Sequence, residues 1–324
     1  MAIKDDVLRA LHRSDETLSG SALARSLGVS RSAVWKAIEQ LRAEGYRIEA
    51  ATNRGYRLAA GTEALTQVEI DRWRRPGPIG AVLEIHDELD STNIRAKQLA
   101  LQDAPHGAAV LARHQSGGRG RFGRSFFSPE GSGVYISFVL RPELTADRAV
   151  MLTSLCAVAV ARAAERVTNG EIEASIKWVN DVYIAGRKIC GILCEAGLDF
   201  ESGQMQYVVA GIGVNVGPME FPPELKDVAT SISNECGRPI ERSRFCAELI
   251  NEMNALYPQL ESGAFMAENR ARSNVIGRDI LVLRGDERYP ATAVDIDGGG
   301  SLVIRTPEGE TRTLRSGEIS IKFQ

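Results

Sequence analysis

Apolar residues in the first 45 positions recur every three or four residues, with polar residues between them. This spacing places one stripe of apolar side chains along a helix. It predicts three helices, over Ile3–His12, Gly20–Leu27 and Arg31–Glu44. Ser19 and Ser30 precede the second and third helices, as N-cap residues do. The chain therefore begins with a compact helical unit in which a tight turn joins the last two helices.

The third predicted helix has two faces of different character. Val34, Ile38 and Leu41 recur at helical spacing and are expected to face inward. The cap and the opposite face then present basic, hydroxyl and aromatic side chains to solvent: Ser30, Arg31, Ser32, Trp35 and Lys36. In a helix-turn-helix pair, such residues of the second helix enter the major groove of DNA.

A short β pattern follows the helices. Tyr46–Glu49 and Tyr56–Leu58 are predicted to be strands around a turn that contains Arg54. This hairpin is typical of the wing of a winged helix-turn-helix domain, from which Arg54 can reach phosphate. Residues 1–60 are therefore predicted to be a DNA-binding domain, and a three-helix module for protein contacts is the alternative.

The pattern changes between residues 67 and 273, where strands and helices mix. The predicted strands are Val82–His86, Ala108–Arg113, Gly133–Leu140, Ala174–Trp178, Val182–Ile184, Lys188–Glu195 and Tyr207–Val214. The predicted helices are Asn93–Gln102, Ala146–Val167 and Ser243–Leu260. Hairpins together with covering helices favour an α+β domain built on a mixed sheet.

Residues 274–324 carry short strands only. The strands are predicted at Asp279–Leu283, Tyr289–Ile296, Leu302–Arg305, Glu310–Leu314 and Ile319–Phe323, with Gly/Asp turns between them. Five short strands with such turns predict a small SH3-like β-barrel. Ala59–Thr66 is predicted to be a linker, so the chain divides into domains at 1–60, 67–273 and 274–324.

Composition and charge add little to this picture. The 324 residues carry a net charge of −3, which gives no overall reason to expect a nucleic-acid or membrane partner. Residues 1–60, however, contain ten basic and seven acidic side chains, a net +3 that leaves −6 for the rest. The five cysteines include no CxxC pair and predict reduced, buried thiols in a cytoplasmic protein.

Four segments of the central region carry candidate chemistry. Glycines and arginines alternate in Gly117–Arg124, so the backbone can approach an anion closely and the guanidinium groups can bind it. Asp90–Asn93 opens a helix with hydroxyl and amide groups. Lys177 stands between Ile176 and Trp178, where a buried lysine would need an anionic partner and a lysine at a strand edge would be solvated. The fourth segment, Gly211–Val216, offers small residues and Asn215.

The candidate chemistry is electrostatic rather than nucleophilic. The sequence shows no Ser-His-Asp, Cys-His or paired-carboxylate arrangement, and no GxxxxGK[ST] motif. Positioning and charge stabilisation, as in phosphoryl or nucleotidyl transfer, are therefore the expected means of catalysis.

Read together, these segments resemble the biotin protein ligase family. The motifs are Asp90–Asn93, Gln115 with Gly118–Arg124, Lys177–Asp181 and Gly211–Asn215, in the family's order. With the helix-turn-helix pattern, the whole chain resembles the bifunctional ligase/repressor members. The resemblance implies that biotin attacks ATP, assisted by Mg²⁺, to give biotinyl-5'-adenylate. The biotin would then pass to a lysine of the biotin carboxyl carrier protein of acetyl-CoA carboxylase.

The same resemblance implies a role for each motif residue. Lys177 and Arg121 would be catalytic. Biotin would contact Ser91, Thr92, Asn93, Gln115, Arg119, Gly120, Arg121 and Lys177, and the nucleotide would contact Arg119, Arg121, Arg124, Asn180 and Asn215. A homodimer would bind biotin operator DNA. Val179 stands where the family commonly has proline, and Phe122, Ser125 and Phe126 stand where the best-known repressor has a basic residue, lysine and tryptophan.

Three other functions remain open at this point. A biotin ligase could lack DNA binding, a regulator could sense biotin without catalysis, and a lipoate ligase would share the fold. The basic and hydroxyl residues of the third helix favour DNA binding. The joint presence of Lys177, Arg119 and Arg121 favours an enzyme.

Overall fold

A computed structural model describes residues 3–14, 16–51, 55–59, 64–142, 149–198, 205–284, 287–315 and 317–321. Contacts divide the chain into two compact units, residues 1–73 with 241–244 and residues 74–240 with 245–324. None of the described helices combines the length and the hydropathy that crossing a membrane requires.

The first unit contains the predicted helices and hairpin. Its elements are α1 (Ile3–His12), α2 (Gly20–Leu27), α3 (Arg31–Ala43), β1 (Ile48–Ala51), β2 (Gly55–Leu58) and α4 (Gln67–Asp71). The Ser19 and Ser30 hydroxyls accept hydrogen bonds from Ala22 N and Ala33 N, so both predicted caps are confirmed. Val34, Ile38 and Leu41 are buried, as their spacing predicts.

Two details of this unit differ from the sequence predictions. Strand β1 begins at Ile48 rather than Tyr46, because the Tyr46 side chain is buried in the helical core. The sequence predictions include no helix at Gln67–Asp71, where the structure has α4, which Thr66 caps by accepting a hydrogen bond from Glu69 N. Ala64 and Val68 belong to the core of the helices. The domain boundary at residue 60 stays a prediction, although the apolar core extends beyond it.

The second unit contains a mixed sheet and the helices that cover it. Its elements up to residue 271 are β3 (Leu83–Leu89), α5 (Thr92–Leu101), β4 (Ala109–Gln115), β5 (Gly133–Leu140), α6 (Ala149–Val167), β6 (Ala174–Lys177), β7 (Asp181–Ile184), β8 (Arg187–Leu198), β9 (Met205–Asn215), α7 (Ile232–Cys236), α8 (Arg242–Leu256) and α9 (Met266–Ala271). The strands form a seven-stranded sheet in the order β3-β4-β5-β9-β8-β7-β6. Strands β3 and β4 are parallel and the other neighbours are antiparallel.

The helices α5 and α6 pack against different strands of this sheet. Helix α6, rich in alanine and valine, packs against β6, β7, β8 and β9. Helix α5 contacts β4, β5 and β9. Because side chains alternate along a strand, Gly211, Gly213 and Asn215 of β9 share one face. That face meets α5, since Gly211 lies directly against Asn93.

The cysteines are unpaired, as the composition predicts. All five are free thiols. Cys156, Cys190 and Cys246 are buried, whereas Cys194 and Cys236 are half-buried. Burial raises the pKa of Cys246 to about 12, so this thiol stays protonated at neutral pH.

The remaining strands form a second sheet in the same unit. They are β10 (Asp279–Arg284), β11 (Glu287–Ile296), β12 (Leu302–Arg305), β13 (Thr311–Leu314) and β14 (Glu318–Ile321), in the antiparallel order β13-β12-β11-β10-β14. The buried Trp178 side chain donates a hydrogen bond from Nε1 to Gly300 O at 2.9 Å. This bond connects the lysine-containing motif to the C-terminal sheet.

Candidate functional site

The N-terminus of α5 holds a buried polar cluster. Ser91, Thr92 and Asn93 are all nearly inaccessible to solvent. Gln115, at the end of β4, accepts hydrogen bonds from Thr92 N at 2.8 Å and from Thr92 Oγ1 at 3.1 Å. Ser137 Oγ lies 2.7 Å from Thr92 Oγ1 and 2.6 Å from Asn93 Oδ1. Residues of two separate sequence motifs therefore meet in one hydrogen-bonded group.

The Asn93 amide is fixed from several sides. It donates from Nδ2 to Leu193 O at 3.2 Å and to Glu195 Oε2 at 2.8 Å. A Cβ atom at Gly211 would lie 1.8 Å from Asn93 Oδ1, so only glycine leaves room for this side chain. The absence of a side chain at Gly211 therefore makes room for the Asn93 amide.

Glu195 supports this amide. Burial alone would raise the pKa of Glu195, but hydrogen bonds from Lys97 and Asn93 hold the pKa below its usual value. The carboxylate is therefore ionised at neutral pH and accepts from Asn93. Sequence reasoning missed Glu195 and Ser137, although a serine in the otherwise apolar strand Gly133–Leu140 is a usable signal.

The glycine-arginine loop folds back on itself. Gly120 N donates to Arg124 O at 2.7 Å and Phe126 N donates to Gly118 O at 2.9 Å. A Cβ at Gly118 would lie 2.5 Å from Phe126 O, so the tight turn requires glycine there. Arg119, Arg121 and Arg124 of this loop all line one cleft.

A cleft of about 130 Å³ lies between this loop and the lysine-containing motif. Its lining includes Arg119, Gly120, Arg121, Arg124, Lys177, Asn180, Asp181 and Lys188. Five basic side chains and one acidic side chain thus line the described part of the cleft. Such a surface attracts polyanions.

The cleft groups make specific contacts. Arg121 donates a hydrogen bond from a terminal nitrogen to Asn180 Oδ1 at 3.2 Å, and Asn180 Nδ2 donates to Ile192 O at 3.1 Å. Lys177 is half-buried, with its Nζ 5.9 Å from the centre of the Tyr183 ring. The Trp178–Val179 peptide bond is cis. The hydrogen bond to Ile192 therefore ties Asn180 to strand β8, while Lys177 lines the cleft.

A smaller cavity of about 20 Å³ joins the polar cluster to the loop. It is lined by Ser91, Thr92, Asn93, Gln115 and Arg119, together with Phe126 and the glycines of β8 and β9. The Phe126 ring covers Gly191 and Gly213, at which a Cβ would lie 3.2 Å and 2.6 Å from ring atoms. The structure therefore gathers the predicted biotin and nucleotide residues, except Asn215, around two adjoining cavities.

Asn215 takes a different place from the other predicted residues. It is buried, donates from Nδ2 to Thr230 O at 3.0 Å, and is not in the lining of either cavity. Its Oδ1 atom has no hydrogen-bond partner among the described residues. Phe122, by contrast, lies at the mouth of the cleft with 67% of its surface exposed.

The predicted DNA-contacting residues lie on one exposed surface of the first unit. Ser30, Arg31, Ser32, Trp35 and Lys36 are all exposed, and 55% of the Trp35 surface is accessible. Ser30 also uses its hydroxyl to cap α3. Arg54 lies outside the described residues. The helix face therefore has the accessibility that groove contacts require.

Comparison with known proteins defines the class of this fold and site: a biotin/lipoate-type ligase with a helix-turn-helix module. The Biotin/lipoate A/B protein ligase family model matches residues 86–215. The HTH domain model matches 4–57, and the Biotin protein ligase C terminal domain model matches 275–322.

The particular family follows from full-length relatives. The chain is 37% identical over 302 residues to the bifunctional ligase/repressor BirA of Bacillus subtilis, covering 91% of each chain. It is 29% identical over 318 residues to the Escherichia coli protein of the same name, covering 97% of this chain and 96% of the relative. The chain belongs to the BirA family of bifunctional ligase/repressors.

A solved structure supports the same assignment. The biotin protein ligase from Aquifex aeolicus in complex with biotin and ATP aligns with a TM-score of 0.64 and 29% identity. The alignment covers 75% of this chain and 100% of that one. This alignment confirms the predicted ligase fold, and the HTH domain model that matches residues 4–57 confirms the predicted helix-turn-helix module.

Proposed function

We propose that the protein activates biotin with ATP, transfers it to a carrier-protein lysine and represses biotin genes by binding DNA. The observation that carries this proposal is the convergence of Lys177 and the arginine loop on a cleft beside the polar cluster of α5. The full-length relatives named bifunctional ligase/repressor support both halves of the proposal.

The first reaction forms a mixed anhydride. A carboxylate oxygen of biotin attacks the α-phosphorus of ATP, and the bond from that phosphorus to the bridging oxygen breaks. The electron pair of this bond leaves with pyrophosphate. In the second reaction, a lysine amine of the carrier protein attacks the acyl carbon, loses a proton and releases AMP.

We assign the polar cluster to the biotin head group. Thr92 and Gln115 hold each other by hydrogen bonds, and Ser137, Leu193 and Glu195 hold Asn93, so these groups lose little side-chain entropy on binding. Ser91 lines the same cavity. Glu195 and Ser137 position Asn93 from behind. Arg119 lines both cavities and Gly120 follows it in the cleft, so both can contact biotin there.

We assign Lys177 and Arg121 to the reacting phosphate. Negative charge grows on the α-phosphate oxygens and the leaving oxygen during attack, and fixed cations in a partly buried cleft stabilise it. Arg124 and Asn180 complete the nucleotide side of the cleft. Asn215 is not in the lining of either cavity and would reach the nucleotide through a bound ion.

The residues fit a magnesium ion in this proposal. Asn215 Oδ1 is a buried carbonyl oxygen without a hydrogen-bond partner among the described residues, and Mg²⁺ binds such oxygens. Mg²⁺ commonly takes one or two protein ligands and completes its shell with phosphate and water. When bound, the ion would neutralise phosphate charge.

Further parts of the proposal concern structure, assembly and location. We infer that the C-terminal sheet forms an SH3-like barrel, supported by its five short antiparallel strands. We also propose a cytoplasmic homodimer on operator DNA, because helix-turn-helix proteins commonly bind two half-sites as dimers. The acceptor would be the biotin carboxyl carrier protein of acetyl-CoA carboxylase.

Exchange of labelled pyrophosphate into ATP tests the enzymatic half. We expect exchange that requires both biotin and Mg²⁺, because only the adenylation step returns pyrophosphate to ATP. Lipoate serves as the control substrate and should support little exchange. Exchange that depends on lipoate and not on biotin would show that the biotin assignment is wrong.

Titration onto the host's biotin promoter DNA tests the repressor half. We expect specific binding that tightens when biotin and MgATP are added. Scrambled DNA at the same salt concentration is the reference, because nonspecific binding depends strongly on salt. Equal affinity for promoter and scrambled DNA would leave a ligase without operator recognition.

A further inference from the structure

Strand β6, which carries Lys177, is the last strand in the order of the seven-stranded sheet. It has only four residues and pairs on one side with β7. On the other side, an edge strand presents backbone N–H and C=O groups that need partners from outside the sheet. The groups that bind this outer edge therefore also determine where Lys177 stands.

The segment that directly follows α9 binds the outer edge of β6. Ile176 N donates to Arg272 O at 2.8 Å, and Asn274 N donates to Ile176 O at 3.0 Å. The Asn274 side chain also donates from Nδ2 to Ser175 Oγ at 3.3 Å. The residue before Lys177 is therefore held through both of its backbone groups.

The Arg272 side chain holds the same strand a second time. Its guanidinium group donates from Nη1 to Ala174 O at 3.3 Å. It also donates from Nη1 and Nη2 to the two carboxylate oxygens of Glu165, at 2.5 and 2.9 Å. Glu165 Oε1 in turn accepts from Ala174 N at 3.1 Å. The ion pair of Arg272 with Glu165 therefore binds both backbone groups of Ala174.

A second carboxylate, that of Glu268, fixes the orientation of the Arg272 guanidinium group. Arg272 Nε donates to Glu268 Oε1 at 2.8 Å. Burial alone would raise the pKa of Glu268, but hydrogen bonds from Arg162 and Arg272 hold the pKa below its usual value. The carboxylate is therefore ionised at neutral pH. Because the donors of a guanidinium group have fixed directions, two carboxylates and one carbonyl set it in a single orientation.

We propose that Arg272 is a positioning residue for adenylation and acts by holding the Lys177 ammonium group in its place in the cleft. This inference rests on the proposed role of Lys177 in that reaction. The described lining of the cleft includes Lys177 but not Arg272, so Arg272 acts through β6. On the other side of Lys177, the bond from Trp178 to Gly300 O holds the chain. Losing the Arg272 contacts frees one of the two sides.

Pyrophosphate exchange by Arg272→Met tests this assignment, because methionine keeps an apolar stem and removes the guanidinium donors. At saturating biotin and MgATP, we expect the exchange rate to fall about ten- to hundredfold, as a misplaced catalytic group does. Biotin affinity without ATP, measured by calorimetric titration, should be unchanged, because the residues assigned to the biotin head group lie at α5 and the end of β4. Arg272→Lys keeps the charge but not the fork of donors and should recover part of the rate.

A double-mutant cycle with Lys177→Ala separates positioning from general damage to the fold. When Lys177 is already absent, adding Arg272→Met should change the remaining exchange rate by less than about twofold, because the group that Arg272 positions is gone. The same fold-loss in the presence and absence of Lys177 would show that Arg272 serves only the fold, and would overturn the inference. An unchanged rate in Arg272→Met alone would also overturn it.

Arg166→Met is the matched control. Arg166 follows Glu165 in α6 and pairs from Nε with Glu252 at 2.6 Å, and none of its described hydrogen bonds reaches β6. Losing this ion pair should lower the unfolding temperature and leave the exchange rate close to wild type. Equal losses of exchange in Arg166→Met and Arg272→Met would overturn the inference. If the wild-type protein itself shows no biotin-dependent exchange, the proposed function fails instead.

Discussion

Replacing Lys177 with alanine should lower the rate of biotinyl-adenylate formation by roughly two to three orders of magnitude. Lys177 lines the cleft between the arginine loop and the β6–β7 hairpin, where the biotin carboxylate and the α-phosphate would meet. Its ammonium group is partly shielded from water, which strengthens its effect on charge that develops during attack. Biotin-dependent pyrophosphate exchange at saturating substrate measures this step.

Two controls separate a lost charge from a damaged fold. Without biotin and MgATP, the Lys177→Ala protein should retain the wild-type affinity for promoter DNA, because the DNA-binding residues belong to the other compact unit. Its thermal unfolding should stay close to wild type, since the backbone pairing of Lys177 with Asp181 does not need the side chain. Near-normal exchange with biotin would contradict the catalytic assignment of Lys177.

The elements that the sequence predicts well are those whose pattern is local. The bounds of α1, α2 and β5 match the predictions, because helical spacing, a serine cap or an uninterrupted apolar run defines each of them. Helix α4 was missed because it has only five residues and depends on Ala64 and Val68 packing into the distant helical core. Short elements formed through tertiary contacts leave little periodicity to detect.

The site residues also divide into those that a local motif reveals and those that only the tertiary structure reveals. Thr92, Gln115 and Lys177 stand in recognisable motifs, and the structure brings those motifs together. Glu195 and Lys188 were missed as site residues because a single charged residue in a strand does not reveal which side of the sheet it faces. The register of β7 with β8 shifts between Val182 and Tyr183, so simple alternation along β8 does not predict which face Lys188 shares.

Replacing Gly211 with alanine should weaken biotin binding by about one to two orders of magnitude. The new Cβ would lie 1.8 Å from Asn93 Oδ1, so the amide must leave its place among Ser137, Leu193 and Glu195. Losing such hydrogen bonds in a buried cluster costs about 1–3 kcal/mol for each unsatisfied group. Calorimetric titration with biotin measures the affinity. Thermal unfolding should also show a loss of about 1–3 kcal/mol from overpacking.

The double variant Asn93→Ala/Gly211→Ala distinguishes the two consequences of this clash. Removing the Asn93 amide makes room for the new methyl group, so the double variant should be more stable than Gly211→Ala alone. Its biotin affinity should stay low, because the amide assigned to biotin is gone.

Gly298→Ala, where a Cβ meets no atom within 4 Å, should leave both properties unchanged. If Gly211→Ala binds biotin normally, Asn93 does not hold the ligand from this position. If the double variant recovers both stability and affinity, the glycine matters only for packing.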